Sequence, residues 1–224
     1  MGMGDSVSIE MPRDTYAHNP MPDREADERI FDFKSQLTVS KEGEAVFIKW
    51  LKQKKARGQI RDFLDVRGDS GYQDLDIDFI TIAPDGRQKT WEVKTDTTTT
   101  GNLFAEFSVN TYTEDGLGNV TQRYMKPGWL YGSKADRVFY YYTKSQTAYI
   151  FDLRQFAAWV DSRFMPGAAK QAAPPRVRAA KNIENRNEPG RYYYGIGYLI
   201  PLQEMEQDKM MRGHQIKVRF SPGC

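Results

Sequence analysis

The tightest constraint in the chain is a pair of short alternating runs on either side of one turn. Residues 76–83 alternate charged and apolar side chains and end in Pro84-Asp85-Gly86, a turn signal, and residues 90–95 follow. Side chains two apart on a strand share a face. Asp76 and Asp78 are therefore expected to point one way, and Glu92 and Lys94 likewise, with Ile77, Phe79, Trp91 and Val93 on the opposite face. A turn centred near Asp85-Gly86 brings Asp78 beside the strand that carries Glu92. The hairpin then presents two or three carboxylates and one lysine on a single face.

Upstream, residues 41–57 are expected to form a helix. Ser40 is the expected N-cap, Glu42 and Glu44 suit the dipole of the first turn, and Gly58 ends the element. Phe47, Trp50 and Leu51 make its apolar face, and Glu44 falls on the same stripe. Downstream, residues 103–109 are expected to continue the hairpin as an antiparallel meander, and 110–128 to be loop. Strands are expected at 63–67, 135–142, 147–151, 192–202 and 215–220, and a helix of about a dozen residues after Asp152. Residues 1–28 lack periodicity and suggest a flexible arm. The remainder, 29–224, is expected to be one domain with a basic loop at about 166–190.

Composition limits the chemistry. The single cysteine is Cys224, and the two histidines, His18 and His214, lie near opposite ends. Cysteine-based metal sites and disulfide frameworks are excluded, and a reducing, cytoplasmic setting (a bacterial cell or a phage-infected host) fits. No apolar run approaches the roughly 18–20 residues of a membrane helix. A metal here would be held by carboxylates, which favours Mg²⁺ or Mn²⁺. The net charge of +2 says little, but its distribution is uneven. Residues 49–61 hold Lys49, Lys52, Lys54, Lys55, Arg57 and Arg61 with no acid, Lys170, Arg176 and Arg178 follow later, and acids collect between Asp62 and Asp96. A carboxylate cluster flanked by basic surface suits an enzyme that binds polyanions.

Clustered acids repel unless a cation neutralises them, and a bound divalent ion lowers the pKa of its water and polarises a phosphate. A lysine beside it can position the attacking water. Asp78, then thirteen residues, then Glu92-Val93-Lys94, with Gly43-Glu44 on the upstream helix, resembles the PD-(D/E)XK nuclease superfamily. That superfamily includes restriction endonucleases, archaeal Holliday junction resolvases and many phage nucleases. The resemblance covers about residues 41–151, with a weaker echo to 202. Ile77 stands where the namesake pattern has proline.

The resemblance implies an α/β (α+β) fold with a restriction-endonuclease-like central mixed sheet flanked by helices. It implies that Asp78, Glu92 and the Val93 carbonyl ligate Mg²⁺ (or Mn²⁺), that Lys94 orients the water, and that Glu44 supports the metal or its water. Asp76 is a rival to Asp78. Residues 101–107, 128–130, 133–136 and 197–202 look like segments of phage-type members. In these Glu106 would lie on the strand next to Glu92, and Ser133 or Lys134 near the DNA. The expected activity is Mg²⁺-dependent endonucleolytic hydrolysis of DNA. Lys52, Lys55, Ser133, Lys134, Arg176 and Arg178 are candidate DNA contacts. A homodimer would suit cleavage of two strands and a monomer would suit nicking. Two other readings stand beside this one: a nuclease-fold DNA-binding module without catalysis, and a viral interaction protein whose carboxylates are a solvated hairpin face.

Overall fold

The computed structural model describes residues 29–98, 100–117, 119–164, 176–183 and 191–221. The expected arm at 1–28 and most of the expected basic loop lie outside them. In chain order the elements are β1 (Arg29–Asp32), α1 (Phe33–Ala56), β2 (Asp62–Asp65), α2 (Ser70–Gln73), β3 (Phe79–Ile82), β4 (Gln88–Asp96), β5 (Asn102–Glu114) and β6 (Val120–Pro127). Then come α3 (Trp129–Gly132), β7 (Arg137–Tyr142), β8 (Thr147–Asp152), α4 (Leu153–Phe164), β9 (Arg176–Ile183), β10 (Arg191–Pro201), α5 (Leu202–Gln207) and β11 (Gln215–Arg219). The class is mixed α/β. One sheet is ordered β11-β8-β7-β4-β3-β2, the other β1-β9-β10-β5-β6.

The first sheet is mixed because β4 and β7 run parallel, Trp91 opposite Arg137 through Asp96 opposite Tyr142, while its other pairs are antiparallel. Alternation along β4 and β7 divides two cores. Trp91, Val93, Phe139 and Tyr141 pack with Phe47 and Leu51 of α1. Val138, Tyr140 and Tyr142 pack on the other side with Leu103 and Ala105 of β5, Ile200 of β10, and Phe156 and Trp159 of α4. Phe47 anchors the α1 side, touching the rings of Phe79 (5.1 Å), Trp91 (5.3 Å) and Phe139 (4.8 Å). Burying an aromatic side chain of this size stabilises by roughly 1.5–3 kcal/mol.

Several expectations need correction. The helix begins at Phe33, not at Lys41, because no Gly or Pro interrupts residues 33–42. Ser40 is thus not an N-cap but sits within α1, where its Oγ donates to Glu44 Oε1 at 2.9 Å. β5 does not continue the β3–β4 hairpin. The free edge of β4 is taken by β7, and the chain leaves the sheet through Gly101, whose φ of 72° is left-handed. Residues 110–128 are not a loop. β5 runs to Glu114, Asp115 Oδ1 accepts from the amides of Leu117 and Asn119 to make the turn, and β6 returns. Thr- and Tyr-rich sequence is strand-prone, and the turn signal at Asp115-Gly116 is only a hairpin tip. Within the expected basic loop, Arg176–Ile183 forms β9, paired to β10 along Tyr192–Leu199. A long partner strand overrides the composition of that segment. The helix after Asp152 is as expected, with Asp152 Oδ1 accepting from Gln155 N at 3.0 Å.

One close approach fixes α1 against the sheet. A Cβ added at Gly43 would overlap Thr95 Oγ1 and lie 3.0 Å from Thr95 Cβ, so only glycine lets the helix sit this close to β4. Alanine is ordinarily about 1 kcal/mol better than glycine inside a helix. Gly43→Ala is nevertheless expected to destabilise the protein by about 1–3 kcal/mol through overpacking. Adding Thr95→Ala should recover part of the loss in denaturant unfolding. A stabilising Gly43→Ala would contradict the packing described here.

Candidate active site

Asp78 sits immediately before β3, where that strand's ladder with β4 stops. Its amide donates to Trp91 O at 2.8 Å, and its Oδ2 accepts from Val93 N at 2.7 Å. The carboxylate is thereby held against the middle of Glu92-Val93-Lys94. An extended residue sends its N–H and C=O toward the same neighbouring strand, so the Val93 carbonyl leaves β4 on the Asp78 side as well.

Glu92 and Lys94 share one face of β4, and Lys94 Nζ lies 2.5 Å from Glu92 Oε1. Glu92's side chain is 5% exposed and that of Lys94 32%. The pair lies on the face opposite α1. Burial pushes Glu92 up to about 8 despite the pull of Lys94, and Asp78 and Asp76 add to the rise. Burial works against the ammonium of Lys94, but Glu92 outweighs it, and Glu106 and Asp76 contribute, so Lys94 is held in its charged form. Glu92 Oε2 is buried and has no hydrogen-bond partner among the described residues.

Glu44 is brought near by α1, but from the other face. Its Oε1 accepts from Ser40, and its Oε2 pairs with Arg67. Arg67 also binds Asp65, at 2.5 Å through Nη2, and lies 4.8 Å over the Phe79 ring. The two faces meet at Asp78. Burial raises its carboxyl, the Val93 amide and Lys94 lower it from one side, and Glu44 raises and Arg67 lowers it from the other. Glu44 therefore joins the site as the partner of a guanidinium, not as an open carboxylate.

Asp76 is not on a strand. It occupies a turn with φ 50°, a left-handed conformation that aspartate tolerates better than most residues, with its amide bonded to Gln73 O at 3.0 Å. The expected alternation of Asp76 with Asp78 is thus overturned, and Ile77 packs on the core opposite Phe79. The turn still leaves Asp76 within electrostatic reach of Glu92, Lys94 and Glu106.

Glu106 is not on the strand next to Glu92. It lies on β5 in the other sheet, opposite Gly197 of β10. It does reach the site from there. Burial raises its carboxyl to about 7, Lys94 and Lys126 oppose the rise, and the Trp129 amide donates to it. Two glycines make its berth: a Cβ at Gly195 would collide with Glu106 Oε2, and one at Gly128 would lie 2.7 Å from its Cγ.

The candidate DNA contacts fare unevenly. Ser133 is buried, its Oγ donating to Asp76 O at 3.0 Å and accepting from Ala135 N at 3.1 Å, so it braces the Asp76 turn and is not open to a ligand. Lys134 and Lys52 are exposed. Lys55 pairs with Asp62 at 2.8 Å. Arg176 and Arg178 lie on β9, and their side chains are outside the described residues. Arg67 escaped the sequence reading. Its only signal is an arginine two residues after Asp65 at the end of a strand.

Among the described residues no three His, Cys, Asp or Glu side chains converge as a ready metal cage. The donor set nonetheless suits a hard divalent cation: Glu92 Oε2 is buried without a partner among the described residues, and the Asp78 carboxylate, held on Val93 N, acts on Glu92 electrostatically. Among the described residues no helix is long and apolar enough to cross a membrane. Comparison of the chain with protein-family models, curated proteins and solved structures finds no match in any of the three.

The folded chain favours the protonated forms of Glu92 and Glu106 relative to their ordinary value of 4.5. A raised carboxyl contributes stability that is complete below its unfolded pKa and lost as pH rises through its folded pKa. With divalent ions chelated, these two groups should make the melting temperature fall as pH rises from about 4.5, the contribution of Glu106 being lost by about 7 and that of Glu92 by about 8. Glu106→Gln should flatten the earlier part of that fall. A melting temperature that climbs across this range would contradict the assigned burial.

Proposed function

We propose that the protein is a metal-dependent endonuclease that hydrolyses phosphodiester bonds in DNA, with a restriction-endonuclease-like arrangement of the PD-(D/E)XK kind. The observation that carries this reading is the join of three groups at one place. Asp78 is hydrogen-bonded to Val93 N, Glu92 is paired to Lys94 on the same strand, and Glu92 Oε2 is buried without a partner. A solvated hairpin face has no reason to bury a carboxylate in this way.

Asp78, Glu92 and the Val93 carbonyl would hold Mg²⁺ or Mn²⁺. Bound there, the ion would lower the pKa of its water and stabilise charge on the phosphate. The chain's own contribution follows from its geometry. Lys94, kept charged by Glu92 and Glu106, presents an ammonium that can orient the attacking water and hold its proton network in line with the phosphorus. Arg67 and Ser40 fix the Glu44 carboxylate, and Arg67 favours the charged form of Asp78 from the α1 side. Ser133 holds the Asp76 turn and so sets where β3 begins. A homodimer would give two such sites for two strands.

A second reading is a DNA-binding module of the same fold without catalysis. The Arg67–Glu44 pair favours it, because a cation of the chain already neutralises one of the implied acids.

In a panel of supercoiled, linear, single-stranded and four-way-junction DNA, at least one form should be cleaved in Mg²⁺. Glu92→Gln and Lys94→Gln should each lower the rate by about 100-fold or more, with circular dichroism unchanged. Mg²⁺ should also raise the melting temperature of the wild type and not that of Glu92→Gln. Undiminished Mg²⁺-dependent cleavage by both variants would overturn the assignment. Retarded DNA with no cleavage in Mg²⁺ or Mn²⁺ would select the second reading.

A further inference from the structure

Away from the carboxylates, the outer end of α1 and strand β11 enclose a groove of about 320 Å³. Trp50, Gln53 and Lys54 of α1 and Arg57 just past its end line it, at i, i+3, i+4 and i+7 spacing, the Arg57 amide still donating to Gln53 O. Val218, Arg219 and Phe220 line it from the other side. The lining holds three cations and no acid. Among the described residues none of the three forms an ion pair with a carboxylate, whereas the neighbouring Lys55 is tied to Asp62.

The floor is aromatic and rigid. Trp50 is stacked on Phe47 (5.7 Å) and set edge-on to Trp91 (5.7 Å). Phe220 meets Phe139 and Tyr141 edge-on at 6.0 and 5.9 Å. Both rings are braced from inside by the core and half-buried at the groove. Lys54 Nζ rests 5.1 Å from the centre of the Trp50 ring. On its flexible stem it can leave the ring for a better anion.

Cations that track a phosphate backbone, beside aromatic faces that take unpaired bases, are the physical requirements for single-stranded nucleic acid. A duplex keeps its bases stacked and edge-on, and could offer this groove its phosphates alone. We infer that the groove lined by Trp50, Lys54, Arg57, Arg219 and Phe220 binds a single-stranded segment of the nucleic acid on which the protein acts. This rests on the proposed function for the choice of polyanion. It narrows the substrate to DNA with an unpaired portion: a tail, a flap or an opened junction. It also moves the expected contact from Lys52 and Lys55 to another face of the same helix.

The test is binding of the full chain, in EDTA, to labelled oligonucleotides of about 16 nucleotides, single-stranded and duplex, by fluorescence anisotropy across a salt series. The single strand should bind more tightly. Replacing Arg57 and Arg219 together by Gln should weaken single-strand binding roughly tenfold or more, and lower the salt slope by about 0.7 per cation removed. Trp50→Leu should weaken single-strand binding roughly tenfold and duplex binding little. Trp50 also packs in the core, so its melting temperature is measured alongside, and the two exposed arginines keep the test independent of folding. Wild-type affinity for single strands in the Arg57/Arg219 variant would overturn the inference, as would equal losses for both forms of DNA or no single-strand binding by the wild type. Cleavage by the wild type in Mg²⁺, measured in parallel, decides the active-site reading separately, so the two can fail independently.

Discussion

The ion pair between Glu92 and Lys94 is the contact on which this arrangement turns. A buried carboxylate is expensive unless a cation meets it, and here the cation comes from two residues along the same strand. That choice leaves the α1 face of β4 free to be wholly apolar, with Trp91 and Val93 closing on Phe47. It also leaves one oxygen of Glu92 without a partner. A pair made across strands would have been adaptable. A pair within one strand fixes both charges to the same backbone, and any group that binds there must fit that spacing.

The other constraint is where β3 stops. The ladder ends at Phe79, and the Val93 N–H on that edge of β4 donates not to a backbone carbonyl but to the carboxylate of Asp78. A side chain there does what a strand would otherwise do, and it places an anion beside backbone polar groups that must be satisfied. The turn before it is held by Ser133 from the segment after α3, so residues distant in sequence set the position of Asp78. Through Asp78 the α1 face, with Glu44 and Arg67, is electrically coupled to the opposite face, with Lys94.

Much of this was legible in the sequence, for a definite reason. Period-two alternation around a Pro-Asp-Gly turn specifies a hairpin from local terms alone, so β3, β4 and the shared face of Glu92 and Lys94 follow from it. The same logic failed at Asp76, because alternation says nothing of where a strand begins. A left-handed residue two positions earlier removes Asp76 and Ile77 from the register. Which strand lies next to β4 was not legible either. β7 pairs there in parallel, a long-range choice made by the two cores, and β5 is thereby sent to the second sheet. Glu106 approaches from that sheet only because Gly128 and Gly195 leave it room, and a glycine's use as clearance is invisible until its neighbour is known. Arg67 was missed for the same reason: its partners, Glu44 and Asp65, belong to different elements.

The charges around the site can be ordered by what each must be near. Lys94 is surrounded by Glu92, Glu106 and Asp76, more negative charge than one ammonium balances. Arg67 is likewise shared between Glu44 and Asp65 and lies close to Asp78. The acids around Lys94 and around Arg67 thus outnumber the cations, with Lys126 offsetting part of the excess at Glu106. Burial first, and the neighbouring acids after it, favour the protonated forms of Asp78, Glu92 and Glu106. A divalent cation would relieve the excess without protons, at the one carboxylate oxygen of the described residues that is buried with no hydrogen-bond partner. The raised carboxyl of Glu92 and its unpartnered Oε2 share one origin, the burial of that side chain. Both lie on the face of β4 opposite α1, where Glu92 meets Lys94 and feels the charge of Asp78.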